Sequence, residues 1–383
     1  MTGTKRNKEM KVLVTGTRGI PNILGGIETH CEELMPRIAK KGVDITLTRR
    51  KGYAVDMLQE WEGIRLVDIY TPKLKGVEPI WHTFVSVLWA WRHGCNIVHI
   101  HAIGPGLITP LAKMFGMKVV VTHHSLNYEH EKWGWFAKMM LRAGEWCSMK
   151  WADEVVVISK AIKRIVDEKY NRKGVHLIPN GVKRTEIVND EEYLKELGLE
   201  KRGYVLGLGR FVPEKNIDHL VEAYKKAFPK ANESCGNVSC GRRIKLVLAG
   251  EATGADESVR KIVVEAEKEG VIMPGFVRGE KLKCLLSNAR CFVLPSSHEG
   301  MSIALLEAMS YGLPVIVSDI AANKDMGLPE ECYFKLGDIE QLSNKLKRNA
   351  DDEFSMINYN MKEYDWDDIA EKTFEVYREC MKS

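Results

Sequence analysis

The chain has 383 residues, of which 45% are hydrophobic and 28% are charged, and its formal net charge at pH 7 is +4. This balance excludes a disordered or fibrous protein, and the length predicts two domains. Basic residues alternate with acidic ones and form no long stripe, which disfavours nucleic-acid binding. The sequence has no uncharged apolar run of about 18 residues and no signal-peptide core at its start, so we expect a cytoplasmic protein.

Short segments rich in Val and Ile alternate along the chain with segments of helical spacing. The predicted strands are 12–15, 45–48, 97–100, 119–122, 155–158, 205–208, 244–249, 291–294 and 314–317. The predicted helices are 28–41, 218–228, 257–269, 302–311 and a last one from 364 to about 380. Strands that are apolar on both faces and alternate with helices form parallel sheets buried under helices. The pattern therefore predicts an α/β protein with two Rossmann-like, doubly wound domains.

The boundary between the domains is predicted after the turn-forming segment 178–182. We assign residues 1–190 to the first domain and 191–362 to the second. Residues 363–383 form a C-terminal helix that we expect to pack back on the first domain. The polar segment 230–243, rich in small residues, is predicted to be a surface loop.

The first candidate site is the glycine-rich segment 16–28, which follows the first predicted strand and includes Gly25 and Gly26. Glycines between a strand and a helix let backbone N–H groups approach a phosphate, which the helix N-terminus also attracts. The spacing is neither that of a dinucleotide fingerprint nor that of a P-loop. A flexible surface loop is the alternative.

The second candidate site follows the first strand of the second domain, where Arg210 and Lys215 lie on one short loop. Ligands bind at the carboxyl ends of strands in open parallel sheets, and two cations there can neutralise a diphosphate. The alternative is a solvated charged loop.

The third candidate site surrounds a predicted helix start, with Glu299 before the helix, Ile303 at its first turn and Glu307 two turns after Glu299. Backbone N–H groups at Ile303 would face an anion. Glu307 lies among apolar residues, where a carboxylate needs a partner such as paired hydroxyls. A salt-bridged structural glutamate is the alternative.

The fourth candidate is His123, at the carboxyl end of a first-domain strand, where an imidazole can orient a sugar hydroxyl. His99 and His101 alternate on the preceding strand and therefore share a face. A core histidine is the alternative. No acidic residue stands beside this cluster at ligand spacing, and the gap between Cys235 and Cys240 is not that of a zinc knuckle. We therefore predict no metal site.

Together, these motifs resemble the retaining glycosyltransferases of family 4 (glycosyl transferases group 1), which have the GT-B fold of two Rossmann-like domains around a cleft. The resemblance rests on Glu299 and Glu307 at their spacing, the loop 209–216 and the turn 179–182, and it covers nearly the whole chain. The glycine-rich opening segment is similar to that of a rhamnosyltransferase-like subset of bacterial surface-polysaccharide enzymes.

The resemblance implies that the first domain binds the acceptor and the second binds a nucleotide-diphosphate-sugar. Arg210 and Lys215 would hold the diphosphate and stabilise it as it leaves. Glu307 would bind the ribose hydroxyls, and backbone N–H groups near Ile303 would meet the distal phosphate. The backbone at Val277 would contact the base.

For the remaining site residues, the resemblance implies that Gly25 and Gly26 approach the donor phosphates or the acceptor. Glu299 would lie beside the donor sugar, with His123 on the opposite wall. Retention without an evident nucleophile implies attack on the leaving-group side, with no metal or other cofactor. A nucleotide-sugar epimerase of the same fold and a catalytically inactive sugar-nucleotide-binding subunit are the alternatives.

The acceptor implied by the resemblance is a glycan or a lipid-linked sugar of a bacterial capsule, O-antigen or exopolysaccharide. An aromatic and basic segment, 132–151, together with Trp81, Trp89 and Trp91, suits the headgroup zone of a membrane. One interpretation is peripheral contact with the inner face of the cytoplasmic membrane. The other is that these rings pack the core or line the acceptor site.

Overall fold

The computed structural model describes residues 10–54, 56–72, 76–125, 134–229, 244–252 and 257–382. The predicted loop 230–243, which includes Cys235 and Cys240, lies outside the described residues, as do Lys132 and Trp133. The chain forms two compact units, with Met1–Gly181 and Tyr364–Ser383 in unit 1 and Val182–Glu363 in unit 2.

The described residues of unit 1 form an eight-stranded sheet in the order β3-β4-β2-β1-β5-β6-β7-β8. Its strands are β1 Lys11–Thr15, β2 Asp44–Arg50, β3 Glu60–Trp61, β4 Ile64–Ile69, β5 Ile97–His101, β6 Lys118–His123, β7 Glu154–Val157 and β8 Val175–Leu177. Its helices are α1 Gly26–Ala39, α2 Glu78–Arg92, α3 Thr109–Met114, α4 Trp135–Trp151, α5 Lys160–Tyr170 and α13 Trp366–Lys382. All pairs are parallel except β3 with β4.

The described residues of unit 2 form a parallel five-stranded sheet in the order β10-β9-β11-β12-β13. Its strands are β9 Tyr204–Leu208, β10 Lys245–Ala249, β11 Cys291–Leu294, β12 Val315–Ser318 and β13 Tyr333–Phe334. Its helices are α6 Glu191–Glu196, α7 Ile217–Ala227, α8 Glu257–Lys268, α9 Gly279–Asn288, α10 Ile303–Ser310, α11 Ala321–Lys324 and α12 Ile339–Asp351.

The predicted fold class is confirmed, because the sheet of unit 1 is parallel except for the β3–β4 pair, the sheet of unit 2 is parallel throughout, and both have crossover helices. The central strands are buried on both faces: Val12, Leu13 and Val14 of β1 have no exposed surface. A side chain so enclosed contributes about 1.5–3 kcal/mol through removal of its apolar area from water. In the part of the chain that the structure describes, no helix has the length and apolar character needed to cross a membrane.

The chain passes from unit 1 to unit 2 after Gly181, within the turn-forming segment 178–182. The segment after Gly181 is bonded to unit 2: the Thr185 hydroxyl donates to the Ser310 carbonyl at 2.8 Å, and the Val188 N–H donates to the Ser287 hydroxyl at 2.9 Å. Gly181 itself lies against α13, where an added Cβ would approach the Trp366 ring to 2.6 Å. Helix α13 belongs to unit 1.

Candidate functional site

The glycine-rich segment of unit 1 is organised by the buried carboxylate of Glu28 on α1. Its Oε1 accepts the Arg18 backbone N–H at 3.0 Å and the Thr17 hydroxyl at 3.2 Å. Gly25, with φ of 157°, stands directly before α1, and an added Cβ there would lie 2.0 Å from Glu28 Oε2. Glycine is therefore required at position 25, because a side chain would collide with the carboxylate that holds the segment.

The same segment lies over the carboxyl end of β5. An added Cβ at Gly16 would lie 2.1 Å from the His101 carbonyl oxygen, so the backbones touch there. At Gly26, the first residue of α1, an added Cβ would meet nothing within 4 Å among the described residues. The backbone at the start of α1 is thus open to a ligand, as a phosphate site requires.

His123 faces helix α4. Its Nε2 lies 3.4 Å from Glu145 Oε1, and both side chains are fully buried. Glu145 Oε2 accepts from Lys169 Nζ at 2.5 Å and from the Tyr170 hydroxyl at 2.8 Å. Burial would raise the pKa of Glu145, but the hydrogen bonds from His123, Lys169 and Tyr170 outweigh it and lower the pKa to about 2. The structure therefore brings His123 to a buried ion-pair network and does not place it beside the glycine-rich segment.

His124, the next residue, faces the other way and joins a group of histidines beside that segment. Its Nε2 lies 2.9 Å from His101 Nδ1, and its ring centroid lies 4.9 Å from that of His30 on α1. Successive residues at a strand end point to opposite faces of a sheet, which explains why neighbouring histidines have different surroundings.

In unit 2, the loop after β9 carries Arg210 and Lys215. Lys215 Nζ donates to Glu299 Oε1 at 2.5 Å, with 22% and 11% of the two side chains exposed. The structure thus brings together two residues that the sequence analysis placed at separate sites. Their loops are also joined by the Ser297 backbone N–H, which donates to the Glu214 carbonyl at 2.9 Å. A small pocket, lined mostly by apolar residues, includes Arg210 and Lys215 in its lining.

Helix α10 begins at Ile303, four residues after Glu299, and the predicted helix began at residue 302. The Ser302 hydroxyl caps it by accepting the Leu305 N–H at 3.3 Å, and Ile303 is its first residue. The first N–H groups of a helix have no partner within it, so those near Ile303 can bind an anion. Glu307, four residues on, is half-buried between the buried residues Leu306 and Ala308.

The last predicted contact, Val277, is buried in the loop between α8 and α9. The loop reaches the end of β10, since the Gly250 N–H donates to the Gly275 carbonyl at 2.8 Å. Gly250 in turn leaves no room for a side chain, because an added Cβ would lie 1.8 Å from the Gly209 carbonyl. The carboxyl ends of β9 and β10 and the loop before α9 therefore share one edge of the unit 2 sheet.

Comparison with known proteins identifies the family of this chain. Residues 189–366 match the family described as Glycosyl transferases group 1, and residues 24–186 match Glycosyltransferase Family 4. The chain is 30% identical over 270 residues to the Escherichia coli UDP-Gal:alpha-D-GlcNAc-diphosphoundecaprenol alpha-1,3-galactosyltransferase. The match covers 67% of this chain and 67% of that protein. The chain belongs to the family 4 glycosyltransferases.

Two further similarities cover this family 4 glycosyltransferase nearly from end to end. An uncharacterized glycosyltransferase from Methanocaldococcus jannaschii is 25% identical over 97% of this chain and 99% of its own. The sucrose-phosphate synthase structure from Thermosynechococcus elongatus has a TM-score of 0.80 and 20% identity, and it covers 98% of this chain and 100% of its own. The predictions of a GT-B fold and a glycosyltransferase are confirmed; the rhamnosyltransferase-like subset stays a prediction.

Sequence reasoning missed several polar residues of this glycosyltransferase. Neither the network around Glu145 nor the grouping of His30 with His101 and His124 was predicted. One signal was available for His30. It lies two residues after Glu28 in the first turns of α1, the helix that begins at Gly26 directly after Gly25.

Proposed function

We propose that this glycosyltransferase moves a sugar, with retention of its anomeric configuration, from a nucleotide-diphosphate-sugar to a glycan or lipid-linked acceptor of a bacterial surface polysaccharide. The observation that carries the proposal is the meeting of Lys215 with Glu299 beside Arg210 at one edge of the unit 2 sheet. A cationic edge of this kind suits a diphosphate.

The donor is proposed to bind through its diphosphate and ribose. Arg210 and Lys215 supply positive charge, and the N–H groups at Ile303 add the field of a helix N-terminus. Glu307 lies about one turn further along α10, so its carboxylate can accept hydrogen bonds from the two ribose hydroxyls. The backbone at Val277 contacts the base. The similar Escherichia coli galactosyltransferase is named for a UDP-sugar donor.

Catalysis is proposed to rest on charge stabilisation and positioning. The acceptor oxygen bonds to the anomeric carbon on the side from which the diphosphate departs, and the bond from that carbon to the phosphate oxygen breaks. The acceptor proton passes to a leaving-group phosphate oxygen, so the products are the glycoside and a nucleoside diphosphate. Arg210 and Lys215 balance the charge that develops on the diphosphate, which makes a divalent metal unnecessary at this step.

Glu299 is proposed to position the donor sugar and Lys215. Its carboxylate already accepts from the Lys215 ammonium, and a group so engaged is a weaker nucleophile. In unit 1, Gly25 and Gly26 leave backbone accessible to the donor phosphates or the acceptor. The ring of His123 is held by Glu145. Its proposed contact with the donor sugar is therefore made by the end of β6, next to His124, and not by the ring.

We also propose that helix α4 rests on the inner face of the cytoplasmic membrane. Its exposed residues include Trp135, Met139, Arg142, Trp146 and Lys150, which recur every three or four positions and so share one face. Trp135 is 78% exposed and Trp146 is 46% exposed. Rings and cations on one exposed face suit the headgroup zone, which a lipid-linked acceptor would share.

The donor proposal is tested by calorimetry of the purified protein with UDP, GDP, ADP and dTDP in EDTA. Selective binding of one diphosphate, weakened in Glu307→Ala, supports it. Proton NMR of the product then reports the anomeric configuration: an α-linked product from an α-linked donor supports retention, and a β-linked product contradicts it. Binding without transfer to any glycan or lipid-linked acceptor would favour an inactive sugar-nucleotide-binding subunit.

The membrane proposal is tested by sedimentation with vesicles of phosphatidylglycerol or of phosphatidylcholine. The wild type should sediment with the anionic vesicles, and Trp135→Ser with Arg142→Gln should lose most of this binding. Tyr70→Ser is the matched control, because Tyr70 is 73% exposed but lies outside α4. Equal binding by the α4 variant and the control would contradict a role for this face.

A further inference from the structure

Three histidines from different elements of unit 1 meet inside it. His30 comes from α1, His101 ends β5 and His124 follows β6, and each offers a ring nitrogen within 4.8 Å of the other two. All three are buried, and His124, at 7% exposure, is the most accessible. Such a cluster needs a physical reason, because each buried nitrogen must be satisfied or carry a cost.

The tautomer of His30 follows from its partner. Its Nδ1 lies 2.9 Å from Asn180 Oδ1, which can only accept, so Nδ1 carries the proton. Burial lowers the pKa of His30 to about 4, so the ring is neutral at pH 7 and Nε2 bears a lone pair. Among the described residues, this Nε2 has no hydrogen-bond partner. A neutral imidazole whose far nitrogen is held by an amide is arranged as a metal ligand would be.

The pair of His101 and His124 contains a second buried ring nitrogen without a hydrogen-bond partner among the described residues. His101 Nδ1 and His124 Nε2 share one hydrogen bond at 2.9 Å, while His101 Nε2 is buried and has no partner in the described ranges. Burial, and after it the neighbouring histidines, lower the pKa of both rings well below the ordinary value. Both rings are therefore neutral, which is the form that binds metals.

The neighbouring ring of His99 has a hydrogen-bond partner for each of its nitrogens. Its Nδ1 lies 2.6 Å from the Tyr377 hydroxyl, and its Nε2 lies 2.7 Å from the Thr122 hydroxyl. Its ring is equally buried and lies only 4.2 Å from that of His101. Unpartnered buried ring nitrogens also occur at His82 and His123, so what distinguishes His30 and His101 is that they belong to a group of three rings whose nitrogens lie together.

We propose that His30, His101 and His124 bind one divalent transition-metal ion of the zinc class. Imidazole suits such ions, and the group contains no carboxylate, which Mg²⁺ or Ca²⁺ would require. Two imidazole nitrogens on one tetrahedral zinc ion lie about 3.3 Å apart. The nitrogens of these three rings already lie within 4.8 Å of one another, so they need only small movements. Each neutral ring keeps its proton on the nitrogen that does not bind, and Asn180 is a positioning residue for His30.

The three proposed ligands lie in unit 1, whereas Arg210 and Lys215, which supply the charge proposed for the donor, lie in unit 2. Metal binding and nucleotide binding can therefore be measured on the same sample by different readouts. The structure describes one further cluster of possible ligands in unit 1, formed by Glu154, His176 and Glu379, and it supplies the control.

The test is titration of the EDTA-treated, dialysed protein with Co²⁺, followed by visible absorption, and then displacement by Zn²⁺ in a calorimeter. The wild type should bind one equivalent of Co²⁺ with the intense absorption of a four-coordinate site. His30→Gln and His124→Gln should each weaken binding by more than about 100-fold, and Asn180→Ala by about 10–100-fold. His176→Gln should bind as the wild type does.

Circular dichroism and a thermal melt establish that each variant is folded. If His30→Gln does not fold, the metal site is tested by the other two variants. His124→Gln removes the most accessible proposed ligand, and Asn180→Ala removes a residue outside the ligand set. Absence of one-equivalent binding in the wild type overturns the proposal. So does binding that survives His124→Gln but is lost in His176→Gln, since the metal would then belong to the exposed cluster.

Discussion

Replacing Glu299 with glutamine should tighten the binding of a nucleoside diphosphate. Glu299 Oε1 now accepts from Lys215 Nζ at 2.5 Å, and only 11% of the glutamate side chain is exposed. A diphosphate that uses the same ammonium must share or replace this contact, so the ion pair competes with the ligand. Glutamine keeps the shape and an oxygen acceptor but removes the charge, which frees Lys215.

The size of the effect follows from the exposure of the pair. Fully exposed ion pairs contribute about 0–1 kcal/mol, and shielding raises that value, so we take about 1 kcal/mol for the competition. Glu299→Gln should therefore lower the Kd by about fivefold. Lys215→Met should raise the Kd by roughly 10–100-fold, because a hydrogen bond to a charged group contributes about 1.5–3 kcal/mol.

The assay is calorimetry of four proteins: the wild type, the two single variants and the double variant. If the ion pair competes with the ligand, Glu299→Gln helps only while Lys215 is present, and the double variant then matches Lys215→Met. Weaker binding by Glu299→Gln alone would refute the reasoning and place the carboxylate on the ligand. An equal gain in both backgrounds would also refute it, because simple repulsion between Glu299 and the diphosphate would then suffice.

Three other predictions concern the donor site and the Glu145 network. Glu307→Ala should weaken nucleoside diphosphate binding by roughly 10–100-fold in calorimetry, because two ribose hydroxyls lose a charged acceptor. The same affinity should be measured in EDTA and in Mg²⁺, since side chains supply the charge. Glu145→Gln should lower the free energy of unfolding at pH 7 by about 2–3 kcal/mol in urea, because a pKa near 2 stabilises the folded state above the ordinary carboxyl pKa. This difference should shrink as the pH falls from about 4.5 towards 2.

Each of these predictions has a control or a contrary result. Glu280→Ala removes an exposed carboxylate at the start of α9 and should leave nucleotide affinity unchanged. A strong gain of affinity on adding Mg²⁺ would show that the diphosphate needs a metal. Glu379→Gln removes a half-exposed carboxylate of unit 1 and should hardly change stability. A Glu145→Gln effect that stays constant between pH 7 and pH 3 would mean that packing rather than charge is lost.

Most of the fold could be predicted because its strands are buried on both faces. The predicted strand 12–15 lies within β1, and the predicted strand 291–294 coincides with β11, since apolar runs of this length stand out from amphipathic helices. The hairpin of β3 and β4 was not predicted. β3 has only two residues, and β4 lies near the sheet edge with its exposed residues among buried ones, so neither forms an apolar run.

The candidate residues of unit 2 could be selected from the sequence because they lie in short motifs at strand ends. Unit 1 depends on contacts between distant residues: His30 bonds to Asn180, 150 residues away, and His99 to Tyr377, 278 residues away. The choice between His123 and His124 depends on a single step along a strand. That step reverses the face to which a side chain points, and no local pattern fixes it.

The histidines of unit 1 also constrain where charge for the donor can come from. Burial lowers the pKa of His30 to about 4 and of His99 to about 3, so these rings stay neutral throughout the physiological range. A neutral ring can orient a hydroxyl or bind a metal, but it cannot offset the charge of a diphosphate. In unit 2, Arg210 and Lys215 lie on one loop beside a pocket, so the proposed donor can draw its positive charge from these two side chains.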